Sequence, residues 1–471
     1  MQLSTAALEW LVAGAGRELM LFASVGILLF GLDDLIFDIA WMAGRRRRAA
    51  ASPEPPPLEG RFAIFVPAWR EEAVLGDTLR RTLDAWAGED VRLYVGCYPN
   101  DAATLFSVSP LIARDPRLRL VIGAADGPTT KGDNLNRLWE AIGEDERAES
   151  IRFAAVVLHD AEDHVHPGEI ALYRRHLADH AMVQIPVVPL VGRGAHWIGG
   201  HYADEFAEAH GKELALRSRM GVALPSAGVG CALTRNALSL LAIERGGLPF
   251  RADSLTEDYE IGMLIGAYGL GARFVDARDE RGDRIVSRGD FPHLFDAAIR
   301  QKSRWIAGIA LCGWDHLGWP GSRRDDRDRA WGRVWLARWM LWRDRRAPLA
   351  AVILLAAYAA LLLSGLGLVG ERLLAWRSVP VGDGMRWLLA LNAMLLLWRL
   401  AMRCHFTARC YGVRAAWRAV PRAFVSNVVA ILSARRAVVL YWQMLRSGEV
   451  VWDKTERHCE AAPAGRVVAA P

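Results

Sequence analysis

Apolar positions along this chain follow two regimes. Toward both ends they run nearly unbroken, whereas in the middle short β-branched bursts, closed by Gly, Pro, Asp or Asn, alternate with stretches of helical apolar spacing. The first regime suits helices that cross a bilayer. The second suits strands alternating with amphipathic helices, and predicts an α/β domain built on a mostly parallel, doubly wound sheet.

Leu19 to Ala43 is long enough to span a membrane and runs into Arg45-Arg46-Arg47-Arg48. Residues 1–44 are therefore expected to form a retained anchor whose carboxyl end faces the cytoplasm. Asp33, Asp34 and Asp38 are costly in hydrocarbon. Either they sit near the interface or pair with cations such as Arg399 or Arg403, or the span starts earlier and they are wet. Pro348 to Val369 and Met385 to Ala401 predict two more crossings within residues 347–402. The loop between them holds only Arg372 and Arg377, while the segment after Arg403 is strongly basic, which places the loop outside. Trp331, Trp335, Trp339 and Trp342 share one helical face among Arg333, Arg338 and Arg343, predicting an interfacial helix over 326–346. Arg414 to Met444 is apolar but interrupted by Pro421, Asn427 and Arg435-Arg436. Interfacial or re-entrant helices, rather than a fourth crossing, are expected over 403–460, and a disordered tail over 461–471.

A basic, Pro-rich linker over 45–60, ending in ASPEPPPLEG, separates the anchor from the α/β pattern of residues 61–325. Strands are predicted at Phe62 to Val66, Val91 to Gly96, Arg119 to Ile122, Phe153 to Leu158, Val183 to Pro189 and Ala272 to Val275. Helices are predicted at Glu71 to Trp86, Asp133 to Ile142, Gly168 to Met182, Tyr202 to Arg219, from Thr234 onward, up to Tyr268, and at Asp296 to Ile309.

Composition and charge narrow this picture. The apolar share is 52% with mean hydropathy +0.11, concentrated in the end blocks, so a membrane protein with a soluble middle is expected. The formal charge of +5 clusters beside those blocks, a positive-inside pattern rather than a nucleic-acid footprint. Six scattered cysteines lack paired spacing, which argues against a disulfide or zinc framework and leaves Cys404-His405 with Cys410 as a faint metal-like grouping.

Candidate chemistry begins at Val156 to Pro167, where an apolar strand ends in Asp160, Glu162 and Asp163. Carboxylates at the carboxyl end of a buried strand suit a hard cation, Mg²⁺ or Mn²⁺, and Asp160 and Glu162 are spaced to share one. His159, His164 and His166 read as flanking polar residues. Gly127 to Asn136 is a loop opening a helix, where Lys131 and free backbone N–H groups suit a diphosphate, although an ordinary N-cap would look the same. Thr256-Glu257-Asp258 starts another helix, with Thr256 as its cap and Asp258 available as general base beside Glu257. Gln301, Arg304 and Trp305 fall within about one helical turn, an amide, a cation and an aromatic platform fit for a sugar beside a diphosphate.

The ordered set D-x-E, T-E-D and Q-x-x-R-W resembles the membrane-bound family-2 glycosyltransferases, including cellulose and hyaluronan synthases. GLDD, YPND, GPTTKGDNLN, LHDAEDHVHP, LTEDYEIG, QKSRW and the late WDKTERH are similar, more narrowly, to the bacterial phage adsorption protein B glycosyltransferases. That resemblance implies a GT-A (Rossmann-like) cytoplasmic domain on transmembrane and interfacial helices, in the bacterial inner membrane. It implies inverting transfer from a nucleoside-diphosphate sugar, a UDP-sugar first, to a glycan acceptor in processive polysaccharide synthesis. By position, Pro67, Ala68, Glu71, Asp101, Lys131 and Asn134 would contact the nucleotide and Asp160 and Glu162 the metal. Asp258 would be the base, with Gln301, Arg304 and Trp305 holding acceptor and diphosphate. Export would need partner proteins or self-association, and direct control by cyclic di-GMP is not expected. The rival expectations are single-sugar transfer to a polyprenyl phosphate and a catalytically silent scaffold of a phage-receptor complex.

Overall fold

The computed structural model describes residues 5–45, 55–192, 194–320, 331–377 and 380–448. The basic run after Arg45, the start of the Pro-rich linker, WDKTERH and the tail over 461–471 lie outside the described residues. In the α/β domain the strands are β1 (Phe62–Pro67), β2 (Val91–Cys97), β3 (Leu118–Ile122), β4 (Ala155–Leu158), β5 (Met182–Gln184), β6 (Val187–Leu190), β7 (Cys231–Thr234), β8 (Ala272–Phe274) and β9 (Ser287–Asp290). The helices are α1 (Thr5–Arg45), α2 (Leu75–Ala85), α3 (Ala102–Ile112), α4 (Lys131–Glu149), α5 (Glu169–His176), α6 (Ile198–Glu208), α7 (Leu214–Met220), α8 (Arg235–Glu244), α9 (Glu257–Ala267), α10 (Phe295–Ile306) and α11 (Gly313–Leu317). Four long helices follow: α12 (Trp331–Arg345), α13 (Ala347–Leu373), α14 (Asp383–Tyr411) and α15 (Val413–Ser447).

Successive side chains of β1 leave the sheet on opposite faces, and that alternation builds two cores. Phe62, Ile64 and Val66 pack with Leu79, Trp86, Ile170 and Tyr173 on one side. Ala63 and Phe65 pack with Leu135, Ile142, Leu238 and Ile265 on the other. The seven strands run in the order β3-β2-β1-β4-β7-β5-β8, parallel from β3 through β4, with β7 antiparallel to both its neighbours. The mostly parallel, doubly wound sheet expected from sequence is present, with one reversed strand.

Three local expectations change. β7 precedes the helix read from Thr234 onward, where no strand was expected, and Thr234 caps α8 by accepting from the Ala237 N–H at 3.2 Å. Val183 to Pro189 divides into β5 and β6, which belong to different sheets, β6 pairing with β9. The helix read over Tyr202 to Arg219 is α6 and α7 joined by a π turn at Ala209–Glu213.

The end blocks contain four helices long and apolar enough to cross a membrane, at Glu9–Gly44, Ala347–Leu373, Asp383–Tyr411 and Val413–Ser447. Where separate interfacial or re-entrant helices were expected, α15 is one helix continuous through Pro421. Two of its polar residues find partners within the protein, while Arg435 and Arg436 stay exposed. Arg422 forks onto Asp204 at 2.8 and 2.6 Å, and Asn427 donates to the Tyr358 hydroxyl at 3.0 Å.

The aspartates of α1 are likewise paired, largely with other cations than those anticipated. Asp33 and Asp34 meet Arg343 and Arg346, with Arg346 at 2.6 Å from each, whereas Arg399 stands 3.8 Å from Asp34. Asp38 accepts from Lys212 at 2.6 Å and from the Trp398 indole at 2.9 Å. Lys212 lies in the π turn, fully buried, and also donates to Glu208 at 2.6 Å.

Removing one partner of a buried ionic cluster strands the others without water. Lys212→Ala is expected to cost about 3 kcal/mol, read as a lower thermal midpoint of the detergent-solubilised protein. Arg386→Ala breaks only the exposed pair with Asp383 and should leave that midpoint unchanged.

Candidate active site

The site lies where β1, β2 and β4 end, the crevice an open α/β sheet leaves at its carboxyl edge. β4 gives way to His159-Asp160-Ala161-Glu162-Asp163, and this loop is held from below. The Asp163 carboxylate accepts the Asp160 backbone N–H at 3.1 Å and contacts His159 Nδ1 at 3.0 Å. His159 Nε2 meets Glu169 Oε1 at 2.9 Å, and the Tyr173 hydroxyl donates to the same oxygen at 2.8 Å. His159 is thus a buried strut rather than the flanking polar residue expected from sequence. Burial opposes its protonation, but Glu169 and Asp163 outweigh it and raise its pKa to about 10. The signal available in sequence was the four-residue step from His159 to Asp163.

The Gly127 to Thr130 loop forms a second wall. Asn100 grips Gly127 twice, accepting its N–H and donating to its carbonyl, each at 2.8 Å. Tyr98 and Thr129 share a hydroxyl contact of 2.7 Å, and the Tyr98 ring stands edge-on to Trp69. Gly127 fits because a Cβ there would enter both rings, 2.6 Å from Trp69 and 2.7 Å from Tyr98. Thr130 caps α4, as the ordinary reading of this loop required, and Lys131 extends from the first turn to Asp160 at 2.6 Å.

Opposite stands the start of α9. Thr256 occupies the cap position but makes no side-chain cap bond, contrary to expectation; its Oγ1 is buried without a partner among the described residues. Asp258 packs on the Ser226 to Gly230 turn so closely that a Cβ on Gly228 would lie 2.3 Å from its Oδ2. Gly228 also has φ +74, so the turn needs glycine on both counts. α10 contributes Gln301, Arg304 and Trp305. Gln301 is 4% exposed, and its Oε1 has no hydrogen-bond partner among the described residues. Trp305 sits in an aromatic cluster with Tyr202 and Phe206, at ring distances of 6.0 and 6.2 Å.

These pieces enclose two adjoining cavities. The first, about 130 Å³, is walled by Pro67, Ala68, Trp69, Glu71, Tyr98 and Asn134, among others. The second, about 100 Å³, is walled by Glu257, Asp258, Thr256, Gln301 and Trp305, among others. Lys131, Asp160, Glu162 and Arg304 line both. Of the residues singled out from sequence, Asp101 lines neither. It caps α3 and accepts the Arg70 N–H at 2.6 Å, holding Arg70 at φ 53 and so shaping the turn that carries Trp69 and Glu71. Trp69, Tyr98 and Thr129 are wall residues that sequence reasoning did not single out as contacts.

Charge is crowded here. Burial disfavours the Lys131 ammonium, but Asp160, Glu257 and Asp258 together hold its pKa above the ordinary lysine value. Burial and then Asp258 push Glu257 up to about 7, and burial raises Asp258 against the pull of Lys131. Among the described residues no group of three or more His, Cys, Asp or Glu side chains is placed to hold a metal ion. Cys404 donates to the Ala416 carbonyl and Cys410 contacts Arg284, so the metal-like grouping read from sequence is spent on other partners.

A strand-end carboxylate pair, a lysine at a helix start and carboxylates opposite them thus meet at the carboxyl edge of a GT-A-like sheet. The chain belongs to glycosyl transferase family group 2, whose pattern matches residues 155–402. It is 32% identical over 468 residues to bacteriophage adsorption protein B of Escherichia coli strain K12, and equally to bacteriophage N4 adsorption protein B of E. coli O157:H7. Each match covers 92% of this chain and 61% of the relative. Its fold is similar to that of a mannosyltransferase from Pyrobaculum calidifontis solved with GDP-Man and Mn²⁺: TM-score 0.53 at 16% identity, covering 89% of this chain and 99% of that one.

Gly228→Ala should displace Asp258 and lower turnover at least about tenfold, with nucleotide affinity retained because the first cavity is untouched. Calorimetric titration beside a turnover assay separates the two effects.

Proposed function

We propose that this protein is an inverting glycosyltransferase of the bacterial inner membrane, with its α/β domain in the cytoplasm. It draws on a nucleoside-diphosphate sugar, a UDP-sugar first, and extends a cell-surface or secreted polysaccharide processively. The reading rests on one observation above all: two cavities share Lys131, Asp160, Glu162 and Arg304, with Asp258 on the far wall of the second. Donor and acceptor would occupy one cavity each and meet over the shared residues.

The donor set fits a divalent cation, Mg²⁺ or Mn²⁺. Asp160 and Glu162 are two carboxylates at a strand end, hard oxygen donors that would hold such a cation. When bound, the cation neutralises charge on the departing nucleoside diphosphate. Lys131 and Arg304 supply fixed positive charge to the same oxygens. Asp258 accepts the proton of the attacking hydroxyl, while Trp305 and the unpartnered amide oxygen of Gln301 position the acceptor sugar. Asp101 acts through the Trp69 to Glu71 turn rather than by touching nucleotide. Export of the product would use partner proteins or a second copy of the chain.

Purified protein with an added donor is expected to release nucleoside diphosphate only with Mg²⁺ or Mn²⁺ present. Asp258→Asn should abolish transfer and keep nucleotide binding; turnover surviving that change sinks the assignment. Glu162→Gln should raise the metal concentration needed for half-maximal rate, and product length by mass spectrometry distinguishes polymer from a single transferred sugar.

The pH dependence follows from the crowded carboxylates. A base works ionised, so turnover should fall as pH drops through the apparent pKa of the Glu257 and Asp258 pair. Both are raised, Glu257 to about 7, so the acid limb of kcat should lie above the ordinary carboxylate range of about 4. An acid limb at or below that range contradicts the assignment.

A further inference from the structure

Tyr259 follows Asp258 directly and joins it to a distant helix. Its backbone N–H donates to Asp258 Oδ1 at 2.7 Å, and its hydroxyl donates to Asp344 Oδ2 at 2.9 Å. Asp344 lies in α12, the Trp/Arg helix, and is gripped by Arg217 of α7 through both carboxylate oxygens, with Nη1 3.1 Å from Oδ2. Arg217 also donates to the Met340 carbonyl at 3.2 Å, so it holds α12 by backbone and side chain together. The Tyr259 ring is buried with Met263 and with Leu341 of α12, against Ile309 in the π turn (Ala307–Cys312) that continues α10 beyond Trp305.

α12 therefore has two working faces. Trp331 and Trp335 are 77% and 52% exposed, while Asp344 and Leu341 point into the domain. The next residue, Arg345, donates to the carbonyls of Gly318 and Gly313 at 2.8 Å each, fixing α12 against α11. Packing alone would be served by phenylalanine at position 259. The hydroxyl adds one directional link, and it ends on the carboxylate that α12 supplies.

We propose that Tyr259 and Asp344 are positioning residues for Asp258, so that the seating of α12 sets the placement of the catalytic carboxylate. This rests on the reading of Asp258 as general base. A displaced α12 moves Asp344, frees the Tyr259 hydroxyl and lets the first turn of α9 drift from the Gly228 turn. Turnover then falls while the donor cavity, built from β1, β2 and α4, stays intact.

The test uses the full-length protein in detergent, with nucleoside-diphosphate release as the assay and Tyr259→Phe, Asp344→Asn, the double variant and Asp258→Asn as the set. Tyr259→Phe and Asp344→Asn should each lower kcat about tenfold, with KM and nucleoside-diphosphate affinity held within about twofold. Because both act through one link, the double variant should be no slower than the worse single one. Asp344→Glu should restore part of the loss. Tyr259→Phe keeps the ring packing, so its thermal midpoint should stay near wild type and it decides the matter if Asp344→Asn unfolds. Unchanged kcat in Tyr259→Phe beside a dead Asp258→Asn overturns the positioning role alone, as does a rise in KM that accounts for the whole loss. Activity surviving Asp258→Asn overturns the general-base reading instead.

Discussion

Three carboxylates, Asp160, Glu257 and Asp258, converge on the field of a single half-buried lysine, Lys131. Like charges brought together away from water repel strongly, and Lys131 is the counter-charge that lets them coexist. The surrounding fold can be understood as what holds that arrangement. Thr130 fixes the turn from which Lys131 reaches out, and the His159, Asp163 and Glu169 strut fixes the loop of Asp160. Glycine at 228 leaves room for Asp258 on the far side. With Glu162 also in the lining, carboxylates outnumber Lys131 and Arg304, so the crevice retains an excess of negative charge that favours a bound cation.

The same principle of paired burial joins the α/β domain to the long helices. Asp38 with Lys212 and Glu208, Asp204 with Arg422, and Asp344 with Arg217 each place one partner in the domain and another in a long helix. Apolar contact alone would let such surfaces slide over one another. Forked Arg and carboxylate pairs fix direction as well as proximity. The domain is thereby seated in one orientation on the long helices.

Much of this was legible in the sequence because it is local. The strand ending in Asp160 and Glu162, the helix opening at Lys131, the carboxylates at the start of α9 and the Gln301 to Trp305 turn all occur as contiguous motifs, and the fold brings them to one crevice. What escaped depends on distant partners. β7 spans Cys231–Thr234 and is recruited by β4 and β5, so its residues carry no period of their own. α15 looked broken at Pro421 and Asn427 because their compensating partners, Asp204 beside Arg422 and Tyr358 beside Asn427, come from other parts of the chain. At Asp101 the sequence did not reveal the capping role, because a carboxylate after a strand suits a ligand and a helix cap equally well.

The pairing of α1 also bears on how the chain is made. Asp33 and Asp34 emerge early, but Arg343 lies 310 residues beyond Asp33. At synthesis rates of ~5–20 residues per second, that delay is roughly 15 to 60 s. Throughout it the first helix carries acidic groups whose final counter-ions do not yet exist. The intervening α/β domain, which supplies Lys212 for Asp38, is translated within that interval. In order of synthesis, the domain supplies Lys212 first, Arg343 and Arg346 follow, and α14 comes last with Trp398 for Asp38 and Arg399 near Asp34.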